Sequence, residues 1–243
     1  MSGKLASLTF DHFVYPSYDQ PLLTAYSGQF ECAFVILHPF VRLSGEVALP
    51  VERYPEEEQI LVYGEKCSWA FVIEQTGLQT FAKLNQALLT SIGALRKEFQ
   101  DQEGMERLQA FLKDQRIWMP GEGDFEPLVR QDFISLFAQA GFEELVFVPE
   151  FAESQPSAEK LALLSDMVKV ERLRIDDLRN RETKFPYRGS LVTPDGSFLL
   201  TVDWDSFFTL LFGPRRYIEE SVRRLALEGF FAHDSTRHSW WLV

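Results

Sequence analysis

From Leu78 to Phe99, apolar side chains recur every three or four residues: Leu78, Phe81, Leu84, Leu88, Ile92, Leu95 and Phe99. That spacing places them on one face of a helix, with Lys83, Asn85, Arg96 and Lys97 largely off it. A helix with one apolar face must bury it against a second layer. The C-terminal part of the chain supplies a candidate. Ser190–Thr193 and Ser197–Val202 flank Pro194-Asp195-Gly196, which provides the fixed φ and the positive-φ residue of a hairpin turn. Phe207–Phe212 is a further apolar run. The predicted fold class is therefore α+β: a helical N-terminal half packed on a C-terminal antiparallel sheet.

Other elements fit this scheme. Cys32–Leu37 is an apolar run in an otherwise Pro-punctuated stretch and reads as a buried strand. Glu56-Glu57-Glu58 suits a solvated turn or the first turn of a helix, where carboxylates complement the dipole. Ser68 is placed to cap a helix ending at Gly77. A second helix is predicted from about Glu103 to Arg116. After Pro120-Gly121-Glu122-Gly123 a third is expected, capped by Asp124 and closed by Gly141. A strand at 145–148 follows, and a helix from Ser157. The stretch Lys169–Lys184 carries six cations and four anions and reads as an exposed, salt-bridged segment. Pro214–Leu227 has the pattern of a helix with Pro at its start. Phe230–His233, a polar turn and His238–Leu242 predict a closing hairpin. No internal repeat is present. The expected organisation is one domain over 1–243, with lobes 1–150 and 151–243 meeting near 149–157.

The 243 residues are 46% hydrophobic and 25% charged, which excludes a disordered class. With 24 cations against 36 anions, the net charge of −12 disfavours nucleic acid and anionic membrane as partners and favours a basic one. Cys32 and Cys67 form neither a disulfide framework nor a metal spacing, and buried small hydrophobes is their expected role. No window reaches 18 apolar residues and the first residues lack a long apolar stretch, so neither a span nor a signal peptide is expected and the compartment is expected to be cytoplasmic.

Phosphate loops, the GxSxG elbow and HExxH are all missing from the sequence. The most unusual polar segment is Asp203-Trp204-Asp205-Ser206. Its two carboxylates would share a face on a strand or converge across a turn, a pattern able to hold a divalent ion or move a proton. The alternative is local hydrogen bonding at a turn while Trp204 packs. His233 and His238 fall on the two arms of the predicted last hairpin and could join Asp203, Asp205 or Asp234; they have no metal-site signature, and His12 and His38 lie elsewhere. Arg215 and Arg216 open a helix, where cations oppose the dipole, so they are expected to pair with Asp203 or Asp205 or to meet an anionic ligand. Trp240 and Trp241 read as packing residues, or as an interface anchor if exposed.

Leu200-Thr-Val-Asp-Trp-Asp-Ser-Phe-Phe-Thr-Leu-Leu-Phe-Gly213 and Glu228-Gly-Phe-Phe-Ala-His-Asp-Ser-Thr-Arg-His-Ser-Trp-Trp241, with Ala33–Phe40 and Gly77–Asn85, resemble a family of cytosolic proteins from Bacillus-like Firmicutes catalogued as a domain of unknown function. The resemblance covers most of the chain and implies no activity and no site. The C-terminal pattern alone is similar to small immunity proteins of polymorphic toxin systems.

The function expected from these residues is a non-catalytic protein-binding domain, of immunity type, for a basic partner. The alternative is an enzyme built on Asp203, Asp205, His233 and His238 with a divalent ion. The binding candidates are Asp203, Trp204, Asp205, Ser206, Arg215, Arg216, His233, His238 and Trp240. No cofactor is expected, and the oligomeric state is left open.

Overall fold

A computed structural model describes residues 16, 18–26, 28–45, 49–50, 52–149, 171–180 and 184–242. His12, the helix expected from Ser157 and nearly all of the 149–157 joint lie outside these residues.

Among the described residues, seven antiparallel strands form the main sheet. They are β1 (Cys32–Leu37), β5 (Glu144–Pro149), β6 (Glu171–Arg174), β7 (Gly189–Val192), β8 (Leu199–Val202), β9 (Phe208–Gly213) and β10 (Gly229–Phe231). Their order is β10-β1-β9-β8-β7-β5-β6. A smaller sheet has the order β3-β2-β4, from β2 (Phe40–Leu43), β3 (Gly64–Cys67) and β4 (Ile117–Trp118).

Helices cover both faces of the main sheet. On one lie α1 (Leu22–Ala25), α3 (Trp69–Thr76), α4 (Phe81–Ser91) and α5 (Gln102–Gln115), where Val35, Leu37, Phe208 and Leu210 pack with Trp69, Leu84, Leu88 and Leu108. On the other lie α6 (Arg130–Gln139), α7 (Ile175–Arg179) and α8 (Arg215–Arg224), where Phe34, Ile36, Leu200 and Leu211 meet Phe133, Phe137, Ile175 and Ile218. A further helix, α2 (Glu57–Tyr63), packs against the small sheet, with Val41, Ile60 and Trp118 in its core. Burial on both faces explains why β1 and β9 are continuous apolar runs without alternation.

The α+β class holds, but strands are interspersed along the chain. The first half supplies β1 through β4, and β1 lies beside the central β9 in register from Cys32↔Gly213 to Leu37↔Phe208. Several local expectations hold as well. Ser68 Oγ accepts from Phe71 N at 3.1 Å, and Gly77 closes α3 at φ +71°. The Glu56–Gln59 capping box opens α2.

Others are corrected. The periodic stretch 78–99 is not one helix. Thr80 Oγ1 caps α4 by accepting from Lys83 N, and the chain turns at Gly93 with φ +73°. Phe99 sits in a 3-10 turn and is exposed. Asp124 does not cap α6; the Glu126 side chain instead caps a short 3-10 turn over Pro127–Val129 that leads into it. The closing hairpin does not form either. Phe230 and Phe231 pair with β1, and the tail makes a 3-10 turn at Trp240–Leu242 after one bridge between Arg237 and Pro21.

Candidate functional site

The loop 120–126 is anchored at several points. The His38 carbonyl accepts from the Trp69 indole Nε1 at 2.6 Å. The His38 imidazole Nδ1 donates to the Gly121 carbonyl at 3.1 Å, and its Nε2 accepts from the Thr209 hydroxyl at 2.7 Å. A carbonyl can only accept, so the Nδ1–H tautomer is fixed. Burial lowers this imidazole to a pKa of about 4. The Gly121 N–H donates to Glu126 Oε2 at 2.8 Å. Glu126 is fully buried, and burial raises its carboxyl to about 7 despite that bond. Beyond it, the buried Arg130 donates to the Phe125 carbonyl at 2.7 Å and pairs with Glu57 and Asp124.

This loop lies directly against Asp203–Ser206, which follows β8. The Gly123 N–H donates to the Ser206 carbonyl at 2.9 Å. Gly123 has φ +63°, and a Cβ there would lie 1.9 Å from the Trp204 carbonyl oxygen, so only glycine fits. Arg188 Nε donates to the Gly123 carbonyl at 2.8 Å, and its guanidinium lies 4.6 Å from the Trp204 ring centroid and 5.5 Å from that of Tyr187. Trp204 and Tyr187 are 54% and 60% exposed, which makes them a solvent-facing aromatic pair joined by a cation.

Two carboxyls adjoin this pair. Asp205 interacts with the Trp204 indole N–H and with Glu122. Both acids are raised above the ordinary carboxylate range, first by partial burial and, for Glu122, also by the neighbouring Asp205 charge. Glu122 also lines an open cavity of about 240 Å³ with Tyr54, Ile92, Met119, Pro120 and Phe207.

Asp203 has a separate set of partners. Its Oδ2 accepts from the Tyr18 hydroxyl and lies 3.6 Å from His238 Nε2. Tyr18 stacks on His238 with ring centroids 4.0 Å apart and 12° between planes. Asp203 and His238 are buried, and burial holds the imidazole well below its ordinary value.

The predicted convergence of Asp203, Asp205, His233 and His238 is thus realised only for Asp203 and His238. Because the final hairpin is absent, His233 stays near the surface, with its Nδ1 against Ser235 Oγ at 3.0 Å. Arg215 and Arg216 are not held by Asp203 or Asp205; they pair along α8 with Glu219 and Glu220, and the Arg215 N–H donates to Glu31. Ser206 is buried, its amide donates to the Asp203 carbonyl, and its hydroxyl has no partner among the described residues. Trp240 is buried against Phe208 and Phe230. Among the described residues no group of three or more His, Cys, Asp or Glu could hold a metal ion, and no helix is long and apolar enough to cross a membrane.

Sequence reasoning missed Glu122, Tyr187 and Arg188 as partners of the Trp204 segment. The one available signal was Gly121 and Gly123 on either side of Glu122, which permits close backbone approach.

A family model described as a protein of unknown function (DUF2711) matches residues 18–242. The chain is 24% identical over 231 residues to the "Uncharacterized protein YwbB" of Bacillus subtilis (strain 168), a match covering 92% of this chain and 96% of that protein. No solved structure matches.

Proposed function

The chain belongs to the DUF2711 family, a family of unknown function, and we propose from its geometry that it is a non-catalytic protein-binding domain that docks a basic partner in the manner of an immunity protein. The observation that carries this reading is the exposed Trp204, braced by Arg188 and flanked by Asp205 and Glu122 on a loop held at Gly121, Gly123 and Phe125. Exposed tryptophan and arginine on a rigid support are the residues most often found as interface anchors. The net charge of −12 would speed encounter with a cation-rich surface. A main sheet that draws strands from both proposed lobes supports treating 1–243 as one unit.

The test is affinity capture by the wild-type chain and by Trp204→Ala side by side at several salt concentrations. A basic protein retained by the first and lost by the second is expected. If no retained protein distinguishes the two, the reading fails.

A second reading, an enzyme using Asp203 and His238, is favoured by their 3.6 Å approach under Tyr18. Against it stands the burial that keeps His238 neutral. Among the described residues, two cavities of about 180 and 240 Å³ are lined by other residues. Both fall below the roughly 300–1,000 Å³ of ordinary small-molecule sites. Turnover of any compound that is abolished by Asp203→Asn would establish the second reading instead.

A further inference from the structure

We infer that the cavity beside Glu122 is the seat of one arginine side chain of the basic partner; this deepens the binding proposed above and rests on it. Tyr54, Ile92, Met119, Pro120 and Phe207 make the cavity largely apolar, with Glu122 as its carboxyl. Its volume of about 240 Å³ suits a single long side chain better than a drug-sized molecule.

The charge pattern names which side chain. Glu122 and Asp205 share a hydrogen bond, the Asp205 charge raises the Glu122 carboxyl, and Arg188 lowers both. Arg188 is committed to the Gly123 carbonyl and to the Trp204 ring. An entering cation would stabilise the Glu122 carboxylate against its partial burial and the Asp205 charge. A guanidinium offers five donors in a planar fork that matches the Glu122 carboxyl, and its flat face stacks on an aromatic ring such as the partly exposed Tyr54. Lysine offers a compact charge that cannot stack, so arginine is the better occupant. The aliphatic stem would lie along Ile92 and Met119. Met119 is itself steadied by the Ser91 hydroxyl, which donates to its Sδ at 3.3 Å. The seat is rigid because Gly121 is held from both sides by His38 and Glu126.

The test uses the full chain labelled at methionine methyl and tryptophan indole positions, with the Met119 signal assigned through Met119→Leu. The probes are acetyl-Gly-Arg-Gly-amide, the same peptide with citrulline, which is neutral and nearly isosteric, and octa-arginine. The arginine tripeptide is expected to move the Met119 methyl signal saturably. Citrulline should leave it in place, and Glu122→Gln should weaken the effect by about tenfold, equivalent to about 1.4 kcal/mol. An equal response to citrulline, an unchanged response in Glu122→Gln, or no saturable shift overturns the inference. If octa-arginine moves the Trp204 indole signal while Met119 stays fixed under every probe, the arginine seat is wrong and the basic-partner surface stands. If neither signal moves, both are wrong.

Discussion

His38 and Glu126 hold the same residue from opposite ends: the imidazole donates to the carbonyl of Gly121, and the carboxylate accepts its N–H. Both are fully buried, and burial displaces them in opposite directions, His38 down to about 4 and Glu126 up to about 7. The consequences for stability have opposite signs. The imidazole's folded pKa lies below its unfolded value of 6.5, so the stability it permits is present above pH 6.5 and is lost as pH falls toward 4. The carboxyl's folded pKa lies above its unfolded value of 4.5, so its contribution is present below pH 4.5 and is lost as pH rises through 7. Between pH 7 and pH 5 each effect amounts to about 2 kcal/mol, and they largely offset one another. His38→Gln should therefore be less sensitive to acid than the wild type, and Glu126→Gln more sensitive. Urea midpoints at pH 7 and pH 5 for the three proteins check this, with the slope as readout. Parallel slopes in all three would refute it.

Gly123→Ala should cost roughly 2 kcal/mol or more and shift the Trp204 fluorescence. The added methyl would meet the Trp204 carbonyl oxygen and would also force an alanine to φ +63°. Gly28→Ala is the matched control. It has φ +73° but no atom of a described residue within 4 Å of the added carbon, so it should cost only about 1 kcal/mol and leave Trp204 unchanged. Equal losses in the two variants would mean that the close approach of the loops contributes nothing.

Glu228 caps α3 from a distance. Its carboxylate accepts from the Trp69 N–H at 2.7 Å and from the Ala70 N–H at 2.8 Å, satisfying two amides at the start of the helix. Glu228→Ala is predicted to lower stability by about 1 kcal/mol and to speed hydrogen exchange at those two amides. Unaltered exchange there would count against the cap.

Asn85 is fully buried on α4, and among the described residues neither atom of its amide has a hydrogen-bond partner. An unpaired buried amide costs about 1–3 kcal/mol. Asn85→Leu, of similar size, should raise the urea midpoint. A lower midpoint would mean that the amide is satisfied in solution.

The parts of the fold legible in the sequence are those set by local chemistry. Ser68 and Gly77 mark α3, Pro194-Asp195-Gly196 marks the turn between β7 and β8, and the apolar run Cys32–Leu37 is a strand with those bounds. The failures arise where remote partners decide. Phe230 and Phe231 look like one arm of a terminal hairpin, but the β1 edge offers hydrogen bonds that the tail does not. The apolar spacing continues past Ser91, but Gly93 interrupts the helix. At the site, Asp203 and His238 were singled out and do meet, whereas Asp205 pairs with Glu122. That contact depends on the Gly121–Gly123 loop pressing against the Trp204 segment, and beyond those two glycines spacing along the chain does not mark it.

The union of β1 with β9 also governs how the protein can be made. Cys32–Leu37 leaves the ribosome well before its neighbour in the sheet, Phe208–Gly213. At about 5–20 residues per second the nascent chain must wait roughly 10–40 seconds with that greasy hexapeptide unmatched. Biogenesis therefore depends on translation passing Gly213 before the middle of the sheet can close, and a product stopped short of Phe208 would be left without this seam.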